Sequence, residues 1–128
     1  MKKNETLALI ILILVTFGIG LGVFGVNKYR GKKLYTAELI AREPDHGNWY
    51  PRKITVSHGK EVKLLIRNIE TVTHGFALPD FNVAVPEIKA GTVAEVRFTP
   101  DKKGTFPFMC TIWCSPRHME MTGEFIVE

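Results

Sequence analysis

The sequence predicts an all-β sandwich of short strands preceded by a single N-terminal transmembrane helix. Three observations carry that expectation. Residues Thr6 to Val26 hold no charged side chain. From residue 34 onward the apolar period switches to two, the repeat of a strand with one buried face. All seven prolines fall between Pro44 and Pro116, so the second part of the chain is punctuated by turn formers and the first is not.

The helix comes first. TLALIILILVTFGIGLGVFGV, residues 6–26, is 21 residues long. At ~1.5 Å rise per residue it reaches ~31 Å, the thickness of a bilayer's hydrocarbon core. A cleaved signal peptide has a shorter apolar stretch of ~7–15 residues and an Ala-x-Ala-like site. Here Asn27-Lys28-Tyr29-Arg30 follows instead, so the segment reads as a retained anchor. The expected division is 1–26 as membrane anchor, 27–33 (NKYRGKK) as a charged linker and 34–128 as the folded domain. Gly18, Gly22 and Gly25, with Gly20 beside them, sit at spacings that let a second membrane helix approach closely, or simply reflect how common Gly is in membrane helices. Lys28, Arg30, Lys32 and Lys33 outnumber Lys2 and Lys3 across the span. By the positive-inside rule alone, the domain would lie in the cytoplasm.

In the domain, Val62, Leu64 and Ile66 alternate with Lys63, Leu65 and Arg67. Val83 and Val85, Val96 and Phe98, Phe106 and Phe108, and Phe125 and Val127 repeat the pattern. Pro51, His58-Gly59, Pro79-Asp80, Ala90-Gly91, Pro100-Asp101 and Gly104 separate these runs. Short strands at ~8–12-residue spacing with such punctuation predict an antiparallel sandwich or barrel. No helical period of ten residues follows the anchor.

Composition excludes several function classes. The net charge of +4 is spread over interspersed Lys, Arg, Glu and Asp, which is no nucleic-acid footprint. No phosphate-cradling Gly loop and no Ser/His/Asp pattern is present. Two cysteines in 128 residues do not make a disulfide scaffold.

One segment breaks the alternation: FMCTIWCSPRHMEMTG, residues 108–123, just before the last strand. Cys110, Cys114, His118 and Met121 form a C-x3-C-x3-H-x2-M array. Thiolate, thioether and imidazole together select copper over calcium or magnesium. A structural zinc site would want four Cys or His and has no use for a thioether. Upstream, in TVTHGFALPDF, His74 is expected to end a strand and enter a turn beside this loop, giving a fifth side-chain donor. Other readings stay open for the same residues. Cys110 and Cys114 alone could form a disulfide or a redox C-x3-C pair. His74, Cys114, His118 and Met121 suffice for a mononuclear blue-copper carrier, with Cys110 an inert thiol. A copper chaperone or storage protein would use a similar donor set, though a thioredoxin-like chaperone needs helices between its strands. His46 and His58 read as solvated turn residues, Met109 and Met119 as packing or surface residues, Glu120 as solvated, and Trp49-Tyr50-Pro51 as a core anchor.

THGFALPDFNVAV and GTFPFMCTIWCSPRHMEMTGEFIVE resemble the cupredoxin domains that carry the dinuclear copper centre called CuA, in cytochrome c oxidase subunit II and at the C-terminus of nitrous oxide reductase. The resemblance covers residues 48–128 and implies a Greek-key cupredoxin sandwich. It implies that Cys110 and Cys114 bridge two copper ions, that His74 and His118 each bind one, that Met121 is a weak axial ligand, and that Ile112 offers its main-chain carbonyl. Phe76, Phe108 and Trp113 would then exclude water. Function follows by the same implication: a membrane-anchored electron carrier passing single electrons to a respiratory terminal oxidase. Its donor would be a c-type cytochrome or a small copper protein, its acceptor a haem-copper oxidase subunit. The domain would sit on the outer, periplasmic or extracellular side of the cytoplasmic membrane, against the charge count at the anchor. Lys102, Lys103 and Arg117 lie near the loop in sequence, so docking is expected to use apolar side chains such as Trp113, Pro116 and Met119.

Overall fold

The computed structural model describes residues 3–31 and 34–128. Its contacts divide the chain into the N-terminal helix and a β domain beginning at Leu34. Helix α1 (Lys3–Gly31) is long and apolar enough to cross a membrane. Its apolar side chains are exposed on every face, as a lipid-facing helix requires. In the middle of the span, the Thr16 hydroxyl bonds the carbonyls of Leu12 and Ile13 (2.9 and 3.0 Å) and so is not left open to hydrocarbon. The helix also takes in Asn27–Gly31, the first five residues of the expected linker. Asn-Lys-Tyr-Arg contains no breaker, so the main-chain ladder continues past the last apolar residue until a glycine. Lys32 and Lys33 lie outside the described residues.

The domain is a two-sheet β-sandwich of eight strands. β1 (Tyr35–Ala41), β3 (Val62–Asn68) and β6 (Val93–Phe98) form one sheet in the order β1-β3-β6. The other runs β2-β8-β7-β4-β5, with β2 (Lys53–Val56), β4 (His74–Leu78), β5 (Val83–Ile88), β7 (Gly104–Met109) and β8 (Thr122–Val127). The expected antiparallel sandwich is modified at two pairings: β1 pairs parallel with β3, and β2 parallel with β8. The chain crosses from β1 to the opposite sheet as β2 and back as β3, and two crossovers restore the original direction. The remaining pairs are antiparallel.

Alternation places the core. Val62, Leu64 and Ile66 are buried while Lys63, Leu65 and Arg67 are more exposed. They pack with Leu39, Ile54, Val56, Phe125 and Val127 between the sheets. Two aromatic groups fill the ends. Phe81, Phe98, Phe106 and Phe125 meet at centroid distances of 4.8–5.9 Å. Trp49, Phe76 and Phe108 meet at 5.7–5.9 Å, two of the three contacts edge-to-face, the arrangement that ring quadrupoles favour. This second group underlies the functional site.

Candidate metal centre

β7 and β8 form a hairpin whose ladder ends at Met109 opposite Thr122. One further bond, Cys110 N–H to the Met121 carbonyl (3.0 Å), closes the loop between them. Residues 110–121 are thereby a closed loop standing on two paired strands. Inside it, the amides of His118 and Met121 bond the carbonyls of Ser115 and His118 (both 3.0 Å), winding residues 118–120 into a single 3-10 turn. That turn directs His118 and Met121 back toward Cys114. From outside, Asn48 Nδ2 donates to the Glu120 carbonyl (2.8 Å) and Trp49 Nε1 to the Met121 carbonyl (3.1 Å).

His74 comes from the neighbouring strand. It opens β4 rather than ending a strand, which corrects the sequence expectation, because the turn lies before it at 69–73. The pleat puts His74, Phe76 and Leu78 on one face, and all three are buried. Gly75 lets the donor loop lie directly on β4: a Cβ there would collide with Thr111 Oγ1 and stand 3.1 Å from the Pro86 carbonyl.

The five expected side-chain donors meet. His74 Nδ1 lies 3.8 Å from Cys110 Sγ, and His118 Nδ1 lies 3.6 Å from Cys114 Sγ. Met121 Sδ is 3.6 Å from Cys114 Sγ. The Ile112 carbonyl is 3.3 Å from Cys110 Sγ, so the main-chain oxygen named for that position faces the cluster while its side chain does not matter. One ligand atom each from His74, Cys110 and Cys114 falls within 4.8 Å of the other two. Both cysteines are free thiols and nearly buried, and His74 and Met121 are fully buried.

Electrostatics distinguish the two thiols. Burial pushes Cys110 up, but the His74 ring and the amides of Gly75 and Ile112 outweigh it and leave its pKa below the ordinary thiol value. Burial, reinforced by the negative charge of Cys110, pushes Cys114 up to about 11. Burial opposes charge on His74, yet Cys110 and Glu70 together raise its pKa. The donor chemistry therefore fits a soft or borderline metal: two thiols, of which Cys110 gives up its proton the more readily, two imidazoles, a thioether and a carbonyl in a pocket lined by aromatic rings.

The sequence reading missed Glu70. Its Oε2 faces His74 Nε2 at 2.9 Å, and its Oε1 faces His46 Nδ1 at 2.5 Å. His46 and Glu70 are 24 residues apart, so no local motif could have joined them. Trp113 also departs from expectation. It is 70% exposed, beside His118 at 6.0 Å between ring centroids, and so lies at the surface rather than over the buried thiols. Trp49 takes that place, its ring tilted against that of His74 at 6.5 Å between centroids.

A two-sheet sandwich with soft donors on the loop before its last strand is the plan of a small metal-binding electron carrier. The chain belongs to the cupredoxin-like domain family, whose model matches residues 32–127. It is 40% identical over 103 residues to the nitrous-oxide reductase of Cupriavidus necator, covering 78% of this chain but only 15% of that protein. It is 30% identical over 98 residues to cytochrome c oxidase subunit 2 of Thermus thermophilus, covering 77% of this chain and 69% of that one. Among solved structures, the periplasmic domain of subunit II of cytochrome oxidase from Bradyrhizobium japonicum shares the fold. The TM-score is 0.62 at 21% identity, over 73% of this chain and 83% of that one.

Proposed function

We propose that this protein is a membrane-anchored copper electron carrier with a dinuclear CuA centre, handing single electrons to a haem-copper terminal oxidase from a soluble donor such as a c-type cytochrome. The observation that carries the reading is the pairing of donors. Each thiol faces an imidazole nitrogen of its own, His74 on Cys110 and His118 on Cys114. A single copper centred on Cys114 would use only one of these two thiol–imidazole pairs, whereas two coppers use both.

Two coppers would supply a one-electron couple between the reduced and mixed-valence states. The chain's residues do the rest. Cys110 and Cys114 would hold the pair as thiolates, His74 and His118 would bind one ion each, and Met121 and the Ile112 carbonyl would give weak outer contacts. The closed loop on the β7–β8 hairpin would keep these donors in place whichever charge the metal carried, so little reorganisation would accompany a transfer. Burial of Cys110, Cys114 and His74 keeps water out, while His118 and Trp113 lie at the surface where a partner can reach them. The relatedness to oxidase subunit 2 and the apolar span of α1 support a domain held at the outer face of the cytoplasmic membrane.

The test is copper loading of the full chain in detergent, followed by metal analysis and EPR. Two coppers per chain sharing one unpaired electron is the expected result. One copper per chain with a single-copper hyperfine pattern, unaffected by Cys110→Ser, would establish the mononuclear carrier instead. Co-purification with a haem-containing, multi-span subunit tests the oxidase partnership.

A further inference from the structure

The two imidazoles facing the thiols are not equivalent. His74 Nε2 meets a carboxylate, Glu70 Oε2, at 2.9 Å. His118, among the described residues, has no carboxylate on its second nitrogen; its Nδ1 faces Cys114 and its ring lies beside Trp113. A carboxylate only accepts, so His74 Nε2 must carry the proton, and the lone pair of a neutral ring is then on Nδ1, the atom facing Cys110.

Glu70 is itself held on every side. Its Oε2 accepts from the Glu43 amide (2.7 Å), its Oε1 meets His46 Nδ1, and its own amide donates to Asn68 Oδ1 (2.9 Å). Asn68 in turn donates to the carbonyls of Val72 and Ile88 (2.7 and 2.9 Å), fixing the turn that carries Glu70 toward β4. The Glu70 side chain is only 10% exposed, whereas that of His46 is 63% exposed.

We propose that Glu70 is a positioning residue for the copper centre, one that fixes the tautomer of His74 and, anchored by the surface residue His46, sets the centre's reduction potential. This rests on the copper reading above and on His74 being a ligand. A carboxylate on the far nitrogen makes an imidazole a stronger donor and puts negative charge close to the metal, which favours the oxidised state. The contact falls on one imidazole of two, so its influence enters the centre from the β4 side.

The experiment compares wild type, Glu70→Gln, Glu70→Ala and His46→Gln as full chains in detergent, by redox titration and by the nitrogen couplings of the bound histidines. Gln keeps an acceptor for His74 but removes the charge. The expected result is a potential raised by about 59 mV in Glu70→Gln, a tenfold change in the oxidised-to-reduced ratio for one electron. One imidazole coupling should change and the other stay. Glu70→Ala should add a tenfold or greater loss of copper affinity, the usual scale for an outer-shell partner. His46→Gln should shift the potential in the same direction by less. An unchanged potential in folded, copper-loaded Glu70→Gln, or equal changes in both couplings, would overturn the proposal. Failure of the wild type to bind copper would instead overturn the functional reading beneath it.

Discussion

Trp49 Nε1 donates to the main-chain oxygen of Met121 across 3.1 Å, tying the segment that enters β2 to the residue that closes the donor loop. The same oxygen accepts the Cys110 amide at 3.0 Å. One carbonyl thus joins both ends of the loop to the indole beneath it. Trp49 is fully buried and packs on Phe76, Phe108 and His74.

Trp49→Phe removes one of the two donors to that oxygen and leaves a small void. A cost of about 0.5–1.5 kcal/mol is expected from the lost bond, since the oxygen keeps the Cys110 amide, and Trp49→Ala should cost about 3–5 kcal/mol. Urea unfolding of the apo chain reads both as lowered midpoints at constant slope. Copper should also leave Trp49→Phe faster than wild type, because the loop base is less constrained.

Gly75→Ala separates site geometry from fold stability. A Cβ at Gly75 collides with Thr111 and stands 3.3 Å from Ile112 Cγ1, both in the donor loop. The loop can lift, so the apo fold should lose about 1 kcal/mol, while copper affinity falls by tenfold or more. Gly123→Ala has no such escape. Its Cβ lands against the buried Phe108 ring and 2.7 Å from the Arg52 carbonyl, so overpacking of about 1–3 kcal/mol should appear in the apo melt itself.

Copper uptake should be pH-dependent, with a sign fixed by Cys114. Burial and the neighbouring Cys110 hold that thiol near 11, so it carries its proton at neutral pH. A thiolate ligand must give that proton up, and binding therefore strengthens as pH rises. Each displaced proton should add about tenfold in apparent affinity per pH unit between pH 6 and 8, measured by chelator competition at fixed ionic strength. A pH-independent affinity over that range would mean that Cys114 keeps its proton and is not a ligand.

What the sequence revealed follows its physics. Burial of Val62, Leu64 and Ile66 is written in a period-two pattern, and the donors of the 110–121 loop are local in the chain. Strand pairing is not local, so periodicity alone could not show that β1 and β2 pair parallel with β3 and β8. Sequence pattern puts His74 at the end of a strand and the structure puts it at the start of one, because the turn before it, residues 69–73, contains neither Gly nor Pro. Glu70 stayed hidden for a related reason. A carboxylate four residues before a histidine looks like any surface charge until the turn folds it back and His46 arrives from another segment.

Residues close in sequence can also be far apart in the fold, and under the proposed function this bears on where a donor would dock. Lys102 and Lys103 precede β7, whereas Cys110 follows it. Six strand residues at ~3.3 Å each put these lysines ~20 Å from the donor loop. Lys102 there pairs with Asp80 (3.4 Å) and lies over the rings of Phe81 and Phe106, at the opposite end of the sandwich. Arg117 does lie on the loop, but it is paired with Asp45 (2.8 Å) and with Glu120, so its charge is largely cancelled. What remains beside His118 is apolar: Trp113 at 70% and Met119 at 83% exposure. Charge reversal at Lys102 and Lys103 should therefore leave the rate of electron entry from a soluble cytochrome within twofold of wild type. Trp113→Ala should slow it by about tenfold, the scale of one aromatic contact at the centre of an interface. Stopped-flow reduction of the oxidised, copper-loaded chain reads both. A large effect of the lysines with none at Trp113 would place electron entry at the other end of the sandwich.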